Sequence, residues 1–272
     1  MDATNKLLPP TKTFSLPGYI ALAMVLVKPG TFWMGDDSEE ALDREKPKHL
    51  VQITQPYYIG KYAVTQQQWT ALMKSNPSKF KGDRRPVGGK SWNDIVTGGQ
   101  EDGPATGFLT VLNEQIPTDG TFGLPTEAQW EYAARGGHLF AVQNEETIHY
   151  PNFAGGDHLV RAGWFGENSY GPTQRYGRKQ PNALGLYDMN GNLWEWCADW
   201  FEEAEYKERK QEVTVDPTGP ETGKYRTLRG GSWIRTARLC RPSFRYGARP
   251  RYRLVYIGFR LVWMPRVRWS SS

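Results

Sequence analysis

The sequence predicts an irregular α+β fold of short strands, two or more helices and long loops, and three observations predict it. Trp 11, Tyr 14 and Phe 11 in 272 residues supply a core made of a few large aromatic contacts. Gly 29 and Pro 19 place turns along the whole chain. Period-2 strand patterns and Thr-x-x-Gln helix starts alternate without a long amphipathic repeat, which argues against a helix bundle.

Residues 1–20 are punctuated by proline and read as an extended lead-in, so the single domain is expected over residues 21–272. Ala21–Met34 reads as two strands turning at Lys28-Pro29-Gly30, and the charged run Asp36–Lys48 reads as a solvated loop. His49–Tyr58 alternates apolar and polar residues, the pattern of one strand. Thr65 with Gln68 forms a capping box that starts a helix to about Met73, and after a Pro/Gly/Lys loop over Ser75–Gly89, Ser91-Trp92-Asn93-Asp94 can cap another. The run Thr97–Gly107 interrupts it before a helical pattern returns at Phe108–Gln115. Thr126 and Gln129 form a further capping box; Trp130 and Ala134 share one face of that helix, and Gly136 stops it. Residues 138–181 are aperiodic, a loop too long to persist unless its own contacts or a metal pin it. Asn182–Trp200 carries the turn Met189-Asn190-Gly191-Asn192 and the strand-like Leu193–Trp196, and Phe201–Gly223 is a charged excursion.

Charge is distributed unevenly. Lys224–Ser272 holds 13 basic residues, 12 of them Arg, and no Asp or Glu; residues 1–223 hold the other 21 basic residues against 29 acidic ones, a net of −8. An Arg-rich end on an acidic body suits an anionic partner, a protein interface or internal ion pairs. There is neither a membrane-spanning apolar run nor a secretory pattern at MDATNKLLPPTKTF, so the cytoplasm is the default compartment and no membrane insertion is expected. Cys197 and Cys240 form no disulfide framework. Glu127, Glu131 and Asp199 show no partner in sequence, and no phosphate loop, zinc-spaced Cys/His set or nucleophile elbow is present.

Six phrases stand in order: Gly30-Thr31-Phe32-Trp33-Met34-Gly35, Tyr62-Ala63-Val64-Thr65-Gln66, Leu124 to Arg135, Gly185 to Trp196, Arg229-Gly230-Gly231-Ser232-Trp233 and Ile257-Gly258-Phe259-Arg260. Together they resemble the formylglycine-generating-enzyme (sulfatase-modifying) family over about residues 21–262, and the resemblance implies one C-type-lectin-like domain. It also sets a test of chemistry. The family's oxidases hold copper(I) with a cysteine pair after the GGSW frame. Here Cys240 matches the later position and Arg235 stands at the earlier one, so that activity, the main rival reading, is disfavoured. The iron-dependent sulfoxide synthases that resemble this family need a histidine triad from an added helical domain; His49, His138, His149 and His158 do not supply it.

A narrower resemblance is to the variable proteins of diversity-generating retroelements, which place a hypervariable segment between GGSW-like and IGFR-like frames of this fold. In that group adenines of template Asn codons are randomised, which cannot create Trp, Met, Lys, Glu or Gln, and Ile234–Tyr256 contains none of the five. Cys240, Arg241, Arg245, Pro250 and Arg253 look like its fixed positions. Ile234, Arg235, Thr236, Leu239, Phe244, Tyr246, Gly247, Ala248, Tyr252, Leu254, Val255 and Tyr256 are then the diversified, ligand-binding ones. The resemblance implies a non-enzymatic binding scaffold for an unknown ligand, expected to be a protein, with an Arg-mediated nucleic-acid binder as a further alternative. No cofactor is required; Asn190, Asn192 and Glu195 are the oxygen donors expected for a structural calcium ion, with Asn152 at a second site.

Overall fold

The computed structural model describes residues 8–99, 103–140, 150–209 and 213–266. His149, Arg268, residues 1–7 of the expected lead-in and residues 141–149 of the long aperiodic stretch lie outside the described residues. Strand β1 (Thr11–Leu16) pairs antiparallel with β2 (Ile20–Val27), and its alternation buries Phe14 and Leu16. The expected lead-in over residues 1–20 is therefore sheet from Thr11 onward, because two apolar side chains at period 2 suffice to seat an edge strand between flanking prolines.

Next come β3 (Gly30–Met34), β4 (His49–Ile53) and β5 (Tyr57–Gly60). The single strand expected over His49–Tyr58 is two. Residues 54–56 interrupt the ladder at Pro56, which has no N–H to donate, and the two halves enter different sheets. Helix α1 (Gln66–Met73) opens on the Thr65–Gln68 box, whose two reciprocal hydrogen bonds are both made. α2 (Trp92–Val96) and α3 (Phe108–Gln115) follow, then β6 (Gly120–Gly123). α4 (Glu127–Ala134) is capped by Thr126 and Gln129. Short elements α5 (Leu159–Ala162), β7 (Gly163–Trp164) and β8 (Asn190–Gly191) precede the long strand β9 (Trp194–Trp200). The chain ends through α6 (Glu205–Glu208), β10 (Thr214–Val215), β11 (Arg226–Arg229), β12 (Arg245–Ala248), β13 (Ile257–Phe259) and β14 (Val262–Pro265).

One sheet has the order β1-β2-β5-β14-β6 and another β12-β11-β9-β13. Two aromatic cores lie against them, and β9 serves both. Its period-2 alternation sends Trp194 and Trp196 into one, with Trp69, Phe244 and Trp263, and Cys197 into the other, with Phe32, Trp130 and Tyr132. Each buried aromatic contributes roughly 1.5–3 kcal/mol of transfer free energy.

The long stretch before β8 is pinned by side chains spaced two apart. The Asp188 carboxylate accepts from the Gly177 N–H, and the Asn190 amide both accepts from the Ala154 N–H and donates to its carbonyl. Asn192 does the same to Gln174. An amide meets a peptide unit as another peptide would, so this turn replaces the missing sheet partners of an irregular segment.

Candidate ligand-binding surface

Both frames of the Arg-rich segment are fastened to β9. β11 pairs antiparallel with it on one side and β13 parallel on the other, so everything from Gly230 to Tyr256 leaves one flank of β9 and returns at the opposite flank. The exit is tight. Gly231 has φ +74°, and a Cβ there would stand 2.5 Å from Cys240 Sγ, so glycine is required on both conformational and steric grounds. The segment then makes a short 3-10 turn, Ala237–Cys240, and forms β12 at the edge of the sheet.

Register divides this sheet into two kinds of row. Tyr246, Leu228, Trp196 and Phe259 align on the side of the first aromatic core, whereas Arg245, Arg229 and Glu195 align on the side faced by α4. From α4, Glu127 and Glu131 meet the arginines. Glu127 binds Arg245 through two contacts of 2.7 and 2.8 Å, and Glu131 accepts from Arg229, the Gly35 N–H and Arg135. Glu195 accepts from Arg260 and from Trp130 Nε1, while Arg260 also donates to the carbonyls of Gly60 and Tyr187. The expectation that Glu127 and Glu131 lack partners is overturned: they are i and i+4 on one helical face, and only folding brings the arginines from about a hundred residues away.

The same pairing neutralises much of the Arg-rich end. Arg241 reaches Asp36 at 2.6 Å and Glu45 at 2.9 Å, so Asp36–Lys48 is no purely solvated loop and Glu45 is buried. Arg253 forms a two-pronged pair with Asp94, and Arg226 lies between the rings of Trp92 and Trp200, 3.8 and 3.5 Å from their centroids. The looked-for fixed positions Arg241, Arg245 and Arg253 are thus the ones that tie the segment to the acidic body.

Among the expected diversified positions, Ile234, Thr236, Tyr246 and Tyr252 are exposed, three of them at 39%, 44% and 41%. Arg235, Leu239, Gly247, Leu254, Val255 and Tyr256 are half-buried, with Arg235 lying over the Tyr256 ring. Phe244 and Ala248 depart from the expectation. Both are buried in the first aromatic core, where Phe244 packs against Trp194; residues 244, 246 and 248 share the inward parity of the edge strand, and Tyr246, its ring 6.0 Å from that of Trp194, stays exposed at the sheet edge.

The donors named for calcium do not fit one. The Oδ1 atoms of Asn190 and Asn192 already accept main-chain N–H groups, and Glu195 is compensated by the Arg260 guanidinium, so the charge an ion would supply is already present. Asn152 lies on the exposed surface, its own N–H bonded to Asp157. Among the described residues no group of three or more His, Cys, Asp and Glu is placed to hold a metal. The thiols fit copper no better. Cys240 is buried with Leu159 and Phe165, and burial pushes its thiol up to about 12; Cys197 lies in the separate core beneath β9, its thiol also pushed up by burial.

Two buried carboxylates are driven apart. Burial alone would raise Glu127, but Arg245 and Arg229 outweigh it and hold the group at about 2. Burial, reinforced by the charge of Glu127, lifts Asp199 to about 7, and one of its oxygens has no hydrogen-bond partner. Its other oxygen accepts from the Glu127 N–H at 2.8 Å. Relative to an unfolded value of 3.8, Asp199 binds its proton more readily in the folded chain, so its contribution to stability should fall as pH rises from about 4 to about 7. Asp199→Asn is expected to remove that slope, read as urea-unfolding free energies at pH 5 and pH 8. Glu127 acts in the opposite sense in a separate window: its stabilisation is present above 4.5 and is lost as pH falls toward 2.

Comparison with known proteins agrees with this geometry. The family model described as "Sulfatase-modifying factor enzyme 1-like domain" matches residues 15–265. A formylglycine-generating enzyme of Thermomonospora curvata is 30% identical over 289 aligned positions, covering 90% of this chain and 94% of that protein. Treponema denticola variable protein 1 superposes with a TM-score of 0.76 at 28% identity, covering 95% of this chain and all of that one. PvdO from Pseudomonas aeruginosa, at 24% identity and a TM-score of 0.72, shares the fold. The architecture is thus the irregular α+β, C-type-lectin-like fold that the sequence motifs resemble.

Proposed function

The chain belongs to the family of sulfatase-modifying factor enzyme 1-like domains, and from that premise we propose that it is a binding protein whose segment Ile234–Tyr256 is a retroelement-diversified surface for a protein ligand. The observation that carries this reading is the separation of the segment into two sets. Arg241, Arg245 and Arg253 are joined to the acidic body by ion pairs, and Cys240 is fully buried. Ile234, Thr236 and Tyr252 are exposed, and Tyr246, although on the core side of its sheet, keeps 44% of its surface open at the edge. A surface that tolerates replacement needs this division, and exposed Tyr with neighbouring Arg offers large contact area at low entropy cost. The likeness to a variable protein supports it. Phe244 and Ala248 are left out of the proposed contact surface.

The oxidase reading of the formylglycine-generating relatives is weaker because Arg235 stands at the earlier position and Cys197 lies in a separate core, so Cys240 has no thiol partner for a soft metal. An Arg-mediated nucleic-acid surface on this segment is weakened by the same ion pairs that hold its arginines.

The test is a displayed library randomised at Ile234, Thr236, Tyr246 and Tyr252. Members are expected to keep cooperative melting, and selection against a panel of purified folded proteins should yield binders specific to their bait. General loss of folding, or no enrichment on any bait, would overturn the proposal. Flanking DNA should carry a reverse-transcriptase gene and a near-copy of the segment with Asn codons at diversified positions. Copper-dependent conversion of a cysteine peptide to formylglycine, lost in Cys240→Ser, would instead establish the oxidase.

A further inference from the structure

Away from the Arg-rich segment, Tyr62 lies between two other tyrosines, its ring centroid 4.2 Å from that of Tyr176 and 5.3 Å from that of Tyr187. The stack is built by the backbone. The Tyr176 N–H donates to the Arg84 carbonyl at 3.0 Å, and the Tyr187 N–H donates to the Lys61 carbonyl at 3.1 Å. Gly177, at φ +70°, backs onto the Tyr62 ring. All three rings are half-buried, so edges or faces remain open to solvent.

Cations lie on the segments that carry the stack. Lys61 Nζ lies 5.8 and 5.6 Å from the centroids of Tyr62 and Tyr187. Arg84, Arg175 and Arg178 are exposed. Among the described residues, none of these four takes part in a salt bridge, in contrast to Arg229, Arg241, Arg245, Arg253 and Arg260. Of the carboxylates beside these segments, Asp83 is exposed next to Arg84, and Asp188 is buried and accepts from the Gly177 N–H. Four cations outside the salt bridges of the described residues, beside three stacked rings, give a positive face with an aromatic platform.

We propose that the stacked tyrosines with Lys61, Arg84, Arg175 and Arg178 form a second binding site, for single-stranded nucleic acid. Phosphates suit the cations, and exposed bases suit the rings, since every base has a π-face. A sulfated polysaccharide or an anionic lipid surface would use the charge and leave the tyrosines without a role. The site is independent of the diversified surface and does not rest on that reading.

The test uses the full chain and fluorescence anisotropy with three probes: a labelled oligothymidylate of about 12 nucleotides, an abasic phosphate chain of equal length, and heparin. Oligothymidylate is expected to bind at least tenfold more tightly than the abasic chain, with affinity falling steeply as salt rises. Tyr176→Ala should remove the difference between these two probes, and Tyr176→Phe should retain it, which separates stacking from loss of fold. Lys61→Glu with Arg84→Glu should weaken both probes and flatten the salt dependence, whereas Arg251→Ala, on the exposed part of the Arg-rich segment, should leave them unchanged. Equal affinity for the oligonucleotide and the abasic chain, heparin binding insensitive to Tyr176→Ala in place of base-dependent binding, or no binding to any probe would overturn the proposal.

Discussion

Glu127→Ala is expected to lower the melting temperature by about 10 °C. The substitution leaves Arg245 and Arg229 in a site where both are fully buried, and among the described residues the one acid still paired with either is Glu131, on Arg229. Breaking a buried pair by removing one partner costs about 3–5 kcal/mol, because the stranded charge keeps its desolvation cost and loses its compensation. A domain of this size shifts roughly 2–4 °C per kcal/mol. Removing both partners, as Glu127→Leu with Arg245→Met, should cost less than Glu127→Ala alone, since neither residue is then left charged. A double variant as unstable as the sum of the singles would show that packing, not stranded charge, dominates here. Differential scanning calorimetry on the wild type, Glu127→Ala, the singles Glu127→Leu and Arg245→Met, and the double variant decides this.

The second large effect separates positions within the Arg-rich segment. Phe244→Ala should destabilise by about 3–5 kcal/mol, as large-to-small changes in a closed aromatic core do, because Phe244 is 3% exposed and packs on Trp194. Tyr252→Ala, at 41% exposure, should stay within about 0.5 kcal/mol. Urea unfolding measures both. Comparable losses at the two positions would mean that the segment is structural throughout, and would remove the basis for a replaceable surface.

These two experiments turn on features of different legibility. The helix starts at Thr65 and Thr126 are local chemistry, a hydroxyl and an amide three residues apart, and both capping boxes form as written in the chain. The break at Pro56 was open to view as a missing donor, yet the alternation on either side suggested one strand. Phe244 and Ala248 could not be assigned to the interior from sequence. The stretch around them is glycine-, proline- and arginine-rich, and an edge strand of four residues is too short for its period to declare an inward face. Glu127 and Glu131 carried one signal in their i,i+4 spacing beside Trp130, but their partners come from the far end of the chain.

The sequence by itself determined the family, the ordered motifs, the capped helices and the place where the chain changes from an acidic body to an arginine-rich end. Only the tertiary structure decided how that end is arranged. It showed that Arg229, Arg241, Arg245, Arg253 and Arg260 are turned inward on specific carboxylates, that Asn190 and Asn192 bind peptide groups of the long loop, and that Ile234, Thr236, Tyr246 and Tyr252 remain exposed. The physical reason is that a capping box closes within three residues, while the environment of a charge depends on which distant segment folding brings against it.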